Sequence, residues 1–138
     1  MIISTFKIIK EEEVDDKELF LGSLRKILKE LLHIMPEVSA AAILSQEGLP
    51  LASALPDDVD ETQVAALTAT ILCMAERASL NLRAGCLEQI CIQCSDRNLL
   101  VLTAGQNSVL MVSTTKNVNI GLIFLNCRKI CEKIALLV

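Results

Sequence analysis

The chain has no tryptophan and no tyrosine, and among its 138 residues only Phe6, Phe20 and Phe124 are aromatic. The usual stacking platforms for single-stranded nucleic acid are therefore missing. A formal net charge of −4 and a pI near 5.0 argue equally against binding through phosphates. With one histidine, His33, a cysteine or serine nucleophile lacks an obvious base. There is no G-x-x-x-x-G-K-[ST] loop, and Gly22, Gly48, Gly85, Gly105 and Gly121 lie too far apart to cradle a phosphate. No apolar run approaches the roughly 20 residues that span a bilayer. The amino-terminal MIISTFKIIKEEE has neither the basic region nor the long apolar stretch of a secretory signal. The six cysteines are scattered through apolar segments of a chain longer than typical disulfide-stapled miniproteins, which fits a reducing compartment. These absences lead us to expect a cytoplasmic protein that is not an enzyme, uses no cofactor or metal, binds no nucleic acid and does not insert directly into a membrane.

What the chain does have is apolar surface: 52% of its residues are hydrophobic and its mean hydropathy is +0.50. A single small domain this apolar either fills a large core or hides the excess against a partner, so self-association is the first expectation.

Patterning predicts the elements. From Asp16 to about Met35, apolar residues Phe20, Leu24, Ile27, Leu28, Leu31, Leu32 and Met35 recur at helical spacing, and Pro36 closes the helix. Val38 to Ser45 and Leu49 to Ala54 read as a hairpin turning at Gln46-Glu47-Gly48, with Pro50 placing the second strand at a sheet margin. The acids that follow start a helix from Glu61 to Asn81, with Asp60 as its cap. Glu88–Cys94, Leu99–Ala104 and Ser108–Thr114 read as an antiparallel meander. In the first of these, Ile90 and Ile92 alternate with Gln89, Cys91 and Gln93. Asn119 then caps a final helix, residues 120–137. Residues 2–9 have strand-like composition, so 1–15 are expected as an extension, an extra strand or a tail, ahead of a single domain at 16–138.

The middle helix is the most informative element. From Val64 to Ala75, VAALTATILCMA, it carries no charge on any face. An all-apolar helix must be covered all round, and one small sheet covers one side, so a second copy across a twofold axis is expected on the other. The small residues Ala65, Ala66, Ala69 and Ala75 would permit close approach.

Cys91-x-x-Cys94, with Cys127 and Cys131, has the residue types of a zinc site. However, residues three apart on a strand point to opposite faces, and buried small hydrophobes are the better reading.

The element order, the hairpin ILSQEGLPLASA, the apolar helix after it, and LVLTAGQNSVLMVSTTKNVNIGLI together resemble the roadblock/light-chain-seven family over about residues 18–138. The resemblance implies an α+β fold: a five-stranded antiparallel sheet sandwiched between helices in the order αββαβββα, with the middle helix on one face and the outer helices on the other. It also implies pairing through the middle helix and the first meander strand. The dimer interface expected here comprises Val64, Ala65, Leu67, Thr68, Ala69, Ile71, Leu72 and Ala75 with Gln89, Ile90, Cys91, Ile92 and Gln93. The implied function is a noncatalytic homodimeric scaffold that binds and regulates a small Ras-like GTPase, or pairs with a related roadblock subunit. The alternatives are an activator of GTP hydrolysis and a structural light chain of a motor or membrane-tethered complex.

Overall fold

The computed structural model describes the backbone of residues 2–138 and the side chains of residues 16–138. Its elements are α1 (Ile2–Ile34), β1 (Val38–Ser45), β2 (Pro50–Ala54), α2 (Glu61–Asn81), β3 (Gln89–Gln93), β4 (Arg97–Ala104), β5 (Ser108–Thr115) and α3 (Ile120–Leu137). The expected α+β order is observed, and all strand pairs are antiparallel in a five-stranded sheet of order β2-β1-β5-β4-β3.

One element differs from expectation. The backbone of residues 2–15 continues α1 upstream of Asp16 and forms no strand, making a helix of 33 residues, about 50 Å long. No glycine or proline interrupts the chain before Gly22, and Lys10-Glu11-Glu12-Glu13 are good helix formers that outweigh the β-branched start. How the side chains of this extension pack lies outside the described residues.

Local chemistry explains the other boundaries. Asp60 accepts hydrogen bonds from the Thr62 and Gln63 amides, and Asn119 accepts one from Leu122, so both helices open on side-chain caps. The β1–β2 turn needs Gly48 twice over. Its φ is +91°, and an added Cβ would sit 3.2 Å from the Ala69 Cβ of α2.

The sheet separates two cores. On one face α1 and α3 lie side by side, burying Leu24, Leu28, Leu31, Ile123, Phe124, Cys127, Ile130 and Ile134 against Ile43, Leu100, Leu110 and Val112. Lys133 of α3 pairs with Glu30 of α1 across the top of this layer at 2.6 Å. On the other face α2 alone buries Ala65 and Leu72 against Ala42, Leu44, Val101, Val109 and Met111. One helix is narrower than a five-stranded sheet, and α2 lies over β1 and β2. Toward β3 and the start of β4 that face is only partly covered among the described residues, and Ile92 and Leu99 remain half-buried.

Candidate functional site

That asymmetry leaves an apolar trough. Its wall is one flank of α2, its floor is the partly covered side of the sheet, and its far end is the β2–α2 connection at Leu55, Pro56 and Val59. The volume is about 490 Å³, lined by Val64, Leu67, Thr68 and Ile71 from α2 and by Ile92, Leu99, Val101 and Met111 from the strands. Polar groups at the floor are internally satisfied: the Ser39 hydroxyl donates to the Ser113 carbonyl at 3.1 Å. Hydroxyls of α2 bond back into their own helix, Thr68 to the Val64 carbonyl at 2.7 Å and Thr70 to that of Ala66 at 2.8 Å. Arg97 is the charged residue on the rim. The lining can therefore exclude water and pack apolar side chains, and the groups that acid–base or nucleophilic chemistry would need are not gathered in it.

The helix phase sorts the residues expected on an outward surface. Ala65, Thr68 and Leu72 are 1%, 5% and 3% exposed and face the protein's own sheet, so their expected place on a contact surface is corrected. Residues at 3.6-residue periodicity cannot all face outward, and the sheet takes this third of the helix. Ala69 and Ala75 are half-buried, Ala69 against the Gly48 turn. Val64 is half-buried in the trough wall, while Leu67 and Ile71 are exposed along it. Met74, at 66% exposure, continues the line and was not anticipated. The signal was available, since Val64, Leu67, Ile71, Met74 and Ala78 step by three and four along one helix flank.

β3 forms the sheet edge beside the trough. Ile90 packs into the α2-side core and Ile92 lines the trough. Gln89 turns the other way, its Oε1 accepting a hydrogen bond from Arg128 of α3. Cys91 and Gln93 share that face by alternation and are exposed.

The cysteines divide differently from expectation. Cys127 and Cys131 are buried in α3, and burial pushes both thiols up to about 12. Cys91 and Cys94 are exposed, as are Cys73 and Cys86. The reading of Cys91 and Cys94 as buried hydrophobes is thus corrected: they lie at the end of a sheet whose β3 edge pairs with no further strand among the described residues. Among the described residues no group of three or more His, Cys, Asp or Glu side chains is placed to hold a metal ion. His33 is exposed on α1. No helix among the described residues is long and apolar enough to cross a membrane.

Comparison with known proteins bears on this geometry. A family model described as the Roadblock/LC7 domain matches residues 25–114. The uncharacterised protein MJ1340 of Methanocaldococcus jannaschii is 33% identical over 97 residues, covering 70% of this chain and 84% of the relative. A Roadblock/LC7 domain from Streptomyces avermitilis superposes with a TM-score of 0.74 at 19% identity, over 80% of this chain and 92% of the other. Myxococcus xanthus MglB superposes with a TM-score of 0.77 at 17% identity, over 86% of this chain and 92% of the other.

Proposed function

This chain belongs to the Roadblock/LC7 domain family, and on that premise we propose that it is a noncatalytic homodimeric scaffold that binds and regulates a small Ras-like GTPase. The observation that carries the dimer is the trough beside an open strand edge: Leu67 and Ile71 stand exposed on the wall, with Met74 exposed further along the same helix, while Ile92 and Leu99 remain only half-buried on the floor. Exposed apolar surface of this kind is unfavourable in water, and a bare strand edge invites pairing. The α2 flank of a second copy supplies an apolar ridge with the same three-and-four spacing, and its β3 supplies the missing strand neighbour. A single twofold contact covers both features.

Paired sheets then present a broad two-subunit surface, and a small Ras-like GTPase is the partner that the family resemblance implies. A holding role agrees with a site whose lining is apolar. The compartment proposed is the cytoplasm.

Light scattering across a dilution series tests the assembly, with a mass of about 30 kDa expected for a twofold dimer and a persistent 15.1 kDa species refuting it. Small Ras-like GTPases encoded in the same genome, loaded with GDP or a non-hydrolysable GTP analogue, then serve as binding probes. Binding that depends on the nucleotide supports the GTPase reading, and no binding to any of them overturns it. Single-turnover hydrolysis of the bound GTPase separates holding from activation: an unchanged rate is expected.

A further inference from the structure

The free edge of β3 specifies how two copies meet, given the dimer proposed above. Its phase is set at the hairpin, where the Cys94 amide donates to the Arg97 carbonyl at 3.0 Å. In an antiparallel ladder such hydrogen-bonded pairs recur at every second residue. In the β3–β4 register, Ile92 and Ile90 therefore also turn their backbone groups toward β4, while Gln89, Cys91 and Gln93 turn theirs to the open side.

Residues opposed in an antiparallel ladder orient their backbone groups alike, so a strand paired with its own copy across a twofold axis has one residue opposite itself. Centring the pair on Cys91 matches every outward amide and carbonyl of Gln89, Cys91 and Gln93. Centring it on Ile90 leaves Gln93 without a strand partner, and centring on Ile92 does the same to Gln89. Unpaired backbone groups at a closed contact are costly, so the Cys91 register is favoured. The same register sets Ile90 against Ile92 of the partner subunit on the α2 side, continuing the apolar floor. Exposure alone would not single out Cys91, since Cys73, Cys86 and Cys94 are exposed too.

We propose that β3 pairs with its own copy about Cys91, so that the dimer axis runs between two Cys91 side chains that a thiol–disulfide couple can join. Hydrogen-bonded cross-strand pairs hold Cα atoms about 5.5 Å apart, inside the disulfide range, but their Cβ atoms must close by roughly 1 Å. The bond is accordingly strained and easily reduced. With oxidised glutathione, one Cys91 thiolate attacks the small disulfide and expels a glutathione thiolate. Cys91 of the partner subunit then displaces the second glutathione from the mixed disulfide. Two protein thiols lose their protons and two electrons, and one small disulfide becomes two thiols.

The test begins with the mass of the reduced protein by light scattering, then treats the protein with oxidised glutathione and resolves it on a non-reducing gel. The expected result is a covalent dimer whose yield does not fall on dilution within the dimeric range and which dithiothreitol reverses. Cys91→Ser should abolish it, and a variant carrying Cys73→Ser, Cys86→Ser and Cys94→Ser should retain it. A reduced dimer that fails to cross-link, or that cross-links through another cysteine, overturns the register and leaves the dimer standing. A reduced monomer overturns the dimer itself, and the register with it.

Discussion

Leu67→Glu is the substitution that presses hardest on the proposed assembly. Leu67 projects from the α2 wall at 56% exposure, beside Ile71 and opposite Ile92 and Leu99 across the trough. Fully burying a leucine side chain is worth about 1.5–3 kcal/mol, so the exposed half leaves roughly 1 kcal/mol to be gained by each copy on pairing. The twofold axis doubles this to roughly 2 kcal/mol. A glutamate forfeits that gain and places an unpaired carboxylate in an apolar contact, at a further cost of about 3–5 kcal/mol if it stays charged. A total loss of more than about 4 kcal/mol raises the dissociation constant at least roughly a thousandfold. The single chain should fold unchanged, because the side chain already meets water there. Sedimentation equilibrium would measure the constant, and circular dichroism would confirm the fold. A folded variant dissociating within a few-fold of wild type would refute the assigned contact.

Gly48→Ala should lower stability by about 1–3 kcal/mol in chemical denaturation, since it combines a φ of +91° with a 3.2 Å approach to Ala69. In a double-mutant cycle with Ala69→Gly, which itself costs about 1 kcal/mol inside α2, the coupling should return the steric part of that loss and leave the conformational part. In native protein at pH 8, Ellman's reagent should modify Cys73, Cys86, Cys91 and Cys94 and reach Cys127 and Cys131 only after unfolding; fast reaction of all six would contradict the burial. Because both buried thiols titrate near 12 when folded against 9.0 otherwise, the unfolded chain releases their protons first. Stability should therefore hold below about pH 9 and fall between about 9 and 12, by up to about 1.4 kcal/mol per pH unit for each thiol. A Cys127→Ala variant should lose stability less steeply over that window.

Most of the architecture is legible along the chain because the responsible signals are local. Pro36, Asp60 and Asn119 mark helix ends through backbone chemistry that depends on near neighbours, and the structure follows them. The stripe on α1 and the stripe on α3 were both readable, since each of these helices has one polar face. The α2 surface was harder. With apolar residues on every side, periodicity identifies a helix without saying which third meets the sheet, and Ala65, Thr68 and Leu72 were therefore expected outside. Residues 2–9 misled for a related reason: their β-branched composition is locally strand-like, yet a strand requires a neighbour and a helix supplies its own hydrogen bonds.

By itself, then, the sequence determined the kinds of element, their order, their caps, and the fact that one helix carried more apolar surface than a single sheet could cover. Only the tertiary structure decided where that surplus lies. The packing of α2 over β1 and β2 turned Leu67 and Ile71 toward the partly covered side of the sheet, and the strand order left β3 at its edge. Local patterns state what a residue prefers to contact; which neighbour satisfies that preference depends on residues distant in sequence that meet only when the sheet closes.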